Sequence, residues 1–424
     1  MIFRQGRPVR VSKNDWVRAP RFTPGVFKLK RSCLSLFSVS AVVLLAAPAA
    51  VSGQQTKHAS STFHGLEPDH PLDSTEVKML INAQAETGST LPVWNYSVVA
   101  GQNSNTYSGS IVGRSPLFHG HTSTTIQAYL VPVVLTFSDG TVFDPTSNNS
   151  CRGDNVLDLV ENSPIFQSTK FDLNGVNIGT TQYVDAFQRA SFWQYVAPSS
   201  TAVTPYHTIF GLNTLSAIDL TVPASEGFTH PPVLYGGCPF GAMDYIWFSD
   251  YVKNTLIPLL AGQGVGPGNL PVFIFDNVVM YPHGDASQCP PNCYLGDHGN
   301  YTASSGLLQT YVIADFDTTG QFDSDISVLS HEVAGWMNDP YNINPTPAWS
   351  SSTGGMPGQC GNLLEVGNPL NGAVFQVTMP NGFTYKPQEL AFFSWFYNQS
   401  PSIGAGGLYS DQGTFTNDAG PACQ

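Results

Sequence analysis

The stretch His331-Glu332-Val333-Ala334-Gly335-Trp336-Met337-Asn338-Asp339-Pro340 decides how this chain is read. Just upstream, Asp323 or Ser324 is placed to cap a helix, and Asp325 falls in its first turn, where a carboxylate suits the positive helix end. Ile326, Leu329, Val333, Trp336 and Met337 then recur at helical spacing and form one apolar stripe facing a core. At about 100° per residue, His331, Gly335 and Asn338 fall on the opposite side, with Glu332 beside them. Pro340 pushes Asp339 out of helical geometry, so the helix is expected to end there.

A His-Glu pair on the non-core face of a buried helix is the first half of H-E-x-x-H, in which two histidines one turn apart hold zinc and the glutamate works as base. The second histidine is absent: position i+4 is Gly335. Any further ligand must come from elsewhere. Glu365 approaches from a separate loop, and with Glu332 it is one of only eight Glu in the chain; the alternative is an ordinary strand-end carboxylate. Asp339 lies about 12 Å from His331 along a straight helix and shares a metal with it only if the chain bends back at Pro340. Otherwise it is a turn and C-cap residue. His283 and His298 sit in a Cys-, Pro- and Gly-rich loop ahead of the helix. Either can replace the missing ligand or line a cleft, although loop histidines are more often merely exposed. His119-Gly-His121 places two rings on one strand face, far off in sequence.

Around this element the composition is that of a chain able to bury a large core: 424 residues, 42% hydrophobic and only 11% charged. Gly 40 and Pro 32 favour turns and loops over long helices. Nine of the 17 Lys and Arg precede residue 32, and Asp15 is the only acid there. Beyond it eight basic residues face 29 acids, a balance of −21. Such a body repels nucleic acid and anionic lipid.

The basic start runs into the apolar stretch from Cys33 to Ala50, the pattern of a secretory signal with cleavage after Ala49 or Gly53. An uncleaved anchor is the alternative, though serines and Pro48 interrupt the apolar run. Once Cys33 has left, six cysteines remain, an even number that suits up to three disulfides in an exported chain. Cys289-Pro-Pro-Asn-Cys293 is a plausible local bridge, and the other pairings stay open. The sequence divides into a signal peptide (1–53), a polar extension or pro-segment (54–108) with a short helix near 74–85, a β-rich domain (109–228) and a catalytic domain (229–424).

Within the last two segments, Ile126–Phe137 reads as a strand turning back through Ser138-Asp139-Gly140. Asn155–Glu161 and Val184–Tyr195 read as helices, as does Trp247–Leu260. Leu270–Met280 reads as one buried strand, Pro282 to Asn300 as loop, and Leu307–Ala314 as another strand. Hairpins are expected across Asn371-Gly372 and Asn381-Gly382, and a short helix over Gln388–Phe396. Asp315-Phe-Asp317-Thr-Thr319-Gly320-Gln-Phe-Asp323 opens like a calcium loop, but Ile326 stands at position twelve, where an EF-hand carries Glu. A looser calcium site and helix-capping acids are the two readings. Asn95, Asn148, Asn300 and Asn398 begin N-x-[ST] sequons. There is no G-x-S-x-G, P-loop or G-x-G-x-x-G, so serine hydrolase and nucleotide chemistry have no support.

The helix with Asn338-Asp339-Pro340, followed by Trp349 and Leu364-Glu365-Val366-Gly367, resembles a group of secreted zincin-like proteins. These carry H-E-x-x-[EG]-x-x-[TN]-[DN]-P, then a Trp, then E-[IV]-G-[DN]; plant exordium-like (phosphate-induced) proteins show a similar helix. The resemblance covers about residues 290–400. It implies an α+β fold with a zincin-like catalytic domain preceded by a β-rich domain, zinc as cofactor, and hydrolysis of a peptide or protein substrate. His331, Asp339 and Glu365 match the metal-side positions and Glu332 the general base. Asn368 stands where some members carry Asp. The expectation is a secreted zinc-dependent peptidase that binds neither nucleic acid nor, after signal cleavage, membrane. The rival is a non-catalytic extracellular or cell-wall protein that keeps a degenerate zincin fold. A third reading, a carbohydrate-binding module around Phe187–Tyr195, competes with a packed aromatic core.

Overall fold

A computed structural model describes residues 75, 78, 90–117, 123–149, 151–197, 206–231, 238–282, 284–289, 293–350, 360–418 and 423. The segment read as a secretory signal (1–53), His119, His121 and His283 lie outside them. Of the helix expected near 74–85, Thr75 and Lys78 are described, and both are helical.

The chain is α+β. A hairpin opens it, β1 (Val93–Val99) with β2 (Thr106–Val112). Then follow β3 (Ser123–Phe137), β4 (Val142–Phe143), α1 (Val156–Glu161), the hairpin β5 (Thr169–Leu173) and β6 (Val176–Thr181), α2 (Tyr183–Ser191) and α3 (Trp193–Val196). Next come β7 (His207–Thr214), β8 (Ile218–Val222), β9 (Gly227–His230), β10 (Phe240–Asp244) and α4 (Tyr245–Tyr251). A π-helical segment, Val252–Leu256, joins α4 to α5 (Ile257–Leu260). After them run β11 (Leu270–Asp276), β12 (Val278–Tyr281), β13 (Gly296–Thr302), β14 (Leu308–Phe316) and α6 (Ser327–Asn338). The chain closes with β15 (Pro345–Trp349), β16 (Gly361–Leu363), the small hairpin β17 (Val377–Thr378) and β18 (Thr384–Tyr385), and α7 (Phe393–Phe396).

The largest sheet runs β13-β14-β11-β3-β4, with β7 and β8 also paired to β3. β14, β11, β3, β7 and β8 are mutually parallel; β13 and β4 join antiparallel. The central strands are largely apolar and buried, β11 and β14 along their whole length, as expected of a sheet covered on both faces. Leu270, Val272 and Ile274 of β11 lie in the same core as Val333, Trp336 and Met337 of α6. Phe273 and Phe275 pack on the other side with Phe248 of α4 and Leu256. The sheet takes strands from both sides of residue 228, and Trp94 and Tyr96 from the polar segment before 109 are buried in the same core.

Three sequence expectations are corrected. The run Leu270–Met280 is two strands in two sheets, because Asn277 turns left-handed (φ 56°) between them, a conformation Asn tolerates better than β-branched residues. Asn277 is held by donating to Thr318 Oγ1 and accepting from Thr318 N. The supposed loop from Pro282 to Asn300 contains the first half of β13, which extends the sheet beside β14. The site helix begins at Ser327, later than a cap at Asp323 or Ser324 implies: Asp325 takes φ 34° and spends Oδ1 on the N–H groups of Ile326 and Lys386.

Three disulfides join Cys151–Cys238, Cys289–Cys293 and Cys360–Cys423. Among the described residues no helix is long and apolar enough to cross a membrane.

Candidate functional site

The helix α6 is buried along its whole length, including the face that carries His331, Glu332 and Gly335. One cover on that face is β13. A Cβ at Gly296 would stand 2.6 Å from Val328 Cγ1 and 2.8 Å from Glu332 Cγ, so glycine there lets the strand lie directly on the helix. Two residues on, His298 projects into the site. Its Nδ1 lies 2.9 Å from Glu332 Oε2 and its Nε2 3.6 Å from Glu365 Oε2. The ring fills the space in front of Gly335, where a Cβ would come within 2.6 Å of His298 Cε1 and 3.3 Å of Glu365 Oε2. The residue that removes the second half of H-E-x-x-H is thus the residue that leaves room for another histidine.

His331 is positioned from the opposite direction. Its Nδ1 is 3.1 Å from Gln388 Oε1, while Gln388 Nε2 donates to the Gly367 carbonyl at 2.7 Å. The amide's own donor is thereby committed, so its oxygen faces the ring. When the ring is neutral, the proton therefore sits on Nδ1 and the lone pair on Nε2. Gln388 is fully buried and its backbone N–H donates to Ser330 Oγ, which locks this side chain to α6. A Cβ at Gly367 would stand 2.5 Å from His331 Nδ1, so the chain after Glu365 closes over the ring.

The electrostatics are dense. Burial alone would raise the Glu365 carboxyl, but the charge of His298, with a smaller contribution from His331, brings it below the usual carboxylate range. For His298, burial opposes charging; Glu365 and Glu332 outweigh it and lift the imidazole well above its ordinary value. Beneath them Asp297, pushed up to about 7 by burial and then by the Glu332 charge, accepts from the Tyr245 and Tyr311 hydroxyls at 3.1 and 3.4 Å. Glu365 keeps 13% of its side-chain exposure, against 1% for Glu332 and 5% for His298. Solvent meets this set at Glu365.

Of the four residues singled out in the sequence, Glu332 and Glu365 converge on His298, and His331 acts on Glu365 from the Gln388 side. Asp339 caps the C-terminus of α6. Its Oδ1 accepts from Ile343 N and its Oδ2 from Asn344 N, both at 2.9 Å, and burial, followed by the Glu365 charge, pushes its carboxyl up to about 7. The calcium-like loop is likewise turned inward: Asp317 accepts the N–H groups of Thr319, Gly320, Phe322 and Asp323 and the Thr319 hydroxyl. His298 is one of the two loop histidines named in the sequence as able to replace the missing ligand or line a cleft, and Gln388 is the side chain that the sequence pattern leaves unassigned. Gly335 is the available signal for the first, since a missing side chain on a buried helix face must be filled by another residue.

The donor atoms suit a small cation in part. His298 Nε2, Glu332 Oε1 and Glu365 Oε2 are buried and have no hydrogen-bond partner, an arrangement that costs free energy unless a further group satisfies them. At 3.6 Å the Nε2–Oε2 separation is too long for a hydrogen bond. Two ligands about 2 Å from one zinc at a tetrahedral angle stand about 3.3 Å apart. Among the described residues no group of three or more His, Cys, Asp or Glu is gathered closely enough to hold an ion as the side chains stand, so a third ligand requires a side-chain movement. No family model, no curated protein and no solved structure matches this chain.

Proposed function

We propose that the protein is a secreted zinc-dependent hydrolase of peptide bonds, with a zincin-like catalytic region built on α6. The observation that carries this reading is the pairing of His331, whose Nδ1 faces the Gln388 amide oxygen, with the fully buried Glu332 and the partly buried Glu365, each of which keeps one buried oxygen without a hydrogen-bond partner. His331 and Glu365 would hold the metal, and bound zinc would supply Lewis-acid activation of water. Glu332 Oε1 would accept the proton of the attacking water and pass it to the nitrogen released as the peptide C–N bond breaks. Glu332 Oε2 stays on His298 and holds the carboxylate in orientation. The three disulfides accord with an oxidising, extracytoplasmic setting. The acidic body disfavours nucleic acid as a partner and favours neutral or cationic peptides.

The test is hydrolysis of an unstructured protein substrate by zinc-loaded wild type and Glu332→Gln. The reading expects cleavage that is lost in the variant and abolished by a chelator. Equal cleavage by both proteins would refute it.

One observation favours a second reading. Both ring nitrogens of His298 face carboxylates, so a protonated imidazole satisfies Glu332 and Glu365 together without any metal. On that reading the protein is a non-catalytic extracellular protein with a degenerate site.

A further inference from the structure

We propose that the Cys360–Cys423 disulfide is a redox latch on Glu365: an external dithiol opens it ahead of the other two bridges, and opening it loosens the strand that holds Glu365 against His298. The latch concerns where Glu365 stands, and it rests on the zinc-hydrolase reading only for its effect on activity.

Access sets the order of opening. Thiol–disulfide exchange needs a thiolate to reach a sulfur, and exposed bridges are the labile ones. Cys360 is exposed and Cys423 half-buried, Cys151 and Cys238 are both half-buried, and Cys289 and Cys293 are buried. The exchange passes through a mixed disulfide. The dithiol gives up two electrons and closes on itself as a disulfide, and Cys360 and Cys423 become thiols by taking its two protons.

The strand that the bridge tethers has weak ties of its own. β16 starts directly after Cys360, and Glu365 stands two residues past its end at Leu363. β16 forms a two-stranded sheet with β15, with Pro345 opposite Leu363 and Trp349 opposite Gly361. Pro345 and Pro347 of β15 have no N–H to give, and a lone two-stranded ribbon is marginal in water. Trp349 Nε1 donates to the Leu363 carbonyl and Leu364 N to the Asn344 carbonyl, both at 3.0 Å. The bridge adds a covalent tie from the start of β16 to a firm anchor. Cys423 Sγ lies 2.9 Å from the Trp349 carbonyl oxygen, and the Trp349 ring packs edge-on against Trp395 and Phe396. A Cβ at Gly361 would collide with that ring, so β16 lies directly on it. Glu365 is thus held between this anchor and Gly367, which closes on His331.

The experiment uses the full chain, with dithiothreitol as the dithiol. Samples titrated with it are alkylated, the opened bridges are identified by peptide mass spectrometry, and backbone hydrogen exchange is followed on the same samples. Cys360 and Cys423 are expected to be alkylated at about tenfold less dithiol than the cysteines of the other two bridges. The amides of 361–367 should then exchange about tenfold faster or more, while those of α6 keep their protection, and reoxidation should restore the slow rate. The double variant Cys360→Ser, Cys423→Ser should show the same fast exchange without dithiol. Another bridge opening first, or unchanged exchange at 361–367 once Cys360 and Cys423 are thiols, would overturn the inference. The wild-type titration decides the matter even if the variant fails to fold. Because a dithiol itself binds zinc, activity is compared between zinc-loaded wild type and the double variant, which should cleave peptide at least about tenfold more slowly, as expected of a displaced site residue. Equal cleavage by the two would overturn the latch and leave the hydrolase reading standing. A wild type that cleaves nothing would refute the hydrolase reading, and the exchange measurement would still decide the latch.

Discussion

Two regions of this molecule bury carboxylates and treat them in opposite ways. Asp317 and Asp339 sit in turns and are wrapped by backbone N–H groups, four around the first and two around the second. Around His298, Glu332 and Glu365 face imidazoles, and each keeps one oxygen without a partner. A saturated buried carboxylate holds loops in place. One left with an unused lone pair is costly to bury and is set up to receive a proton, a cation or a substrate atom. The resemblance that matches both Asp339 and Glu365 to metal-side positions does not separate these roles; the hydrogen-bond inventory does. Asp276 is a third case: Oδ1 is unpartnered, but its neighbours Asp317, Asp144 and Asp154 are acids, so burial and like charge push its carboxyl up to about 8.

The comparison can be broken or sharpened by four measurements. The largest effect is expected from Glu332→Gln, which should lower the rate of peptide hydrolysis by about 10²–10⁴-fold, the usual contribution of a general base, while the urea midpoint changes little. A collapse of stability instead would move Glu332 into the structural class. Asp276 should make stability depend on pH. Its folded pKa of about 8 lies above the unfolded value, so the stabilisation is complete below about pH 4 and is lost as pH rises toward 8. Each pH unit between the unfolded and folded values is worth about 1.4 kcal/mol, so the loss amounts to several kcal/mol. Urea denaturation from pH 4 to 8 should show this decline, and Asp276→Asn should make it shallower, the remainder coming from other raised carboxyls such as Asp297 and Asp339. Asp317→Ala strands a set of backbone donors and should cost about 3 kcal/mol of stability, with zinc affinity unchanged once folded. An effect on zinc affinity in the folded protein would erase the distinction between the two regions. The smallest effect is expected from Gln388→Leu, which frees the His331 ring and should weaken zinc by about 10–100-fold, as loss of an orienting partner does. Retention of wild-type affinity would mean that the tautomer of His331 is not set by Gln388.

Much of the frame was legible in the residues. The apolar stripe from Ile326 to Met337 places α6 against the sheet, Pro340 marks its end, and the turn at Ser138-Asp139-Gly140 returns β3 onto β4. What stayed hidden has physical causes. Gly296-Asp-His-Gly-Asn-Tyr-Thr302 has weak strand propensity. It is strand because β14 pairs with it and α6 needs a backbone that can approach closely. Its histidine therefore read as a loop residue. Gln388 sits 57 residues from His331, and no local pattern announces an amide that fixes a ring from that distance. The break at Asn277 was masked by apolar residues on both sides, which suit two strands as well as one.

The most direct test of the central claim is the zinc content of the purified protein, wild type beside His331→Ala, after exposure to excess zinc and removal of the unbound metal. The account predicts close to one zinc per wild-type chain, and its loss in a variant that still folds. A folded wild type without zinc would contradict it and leave His298 as a protonated link between two glutamates in a protein with no metal chemistry.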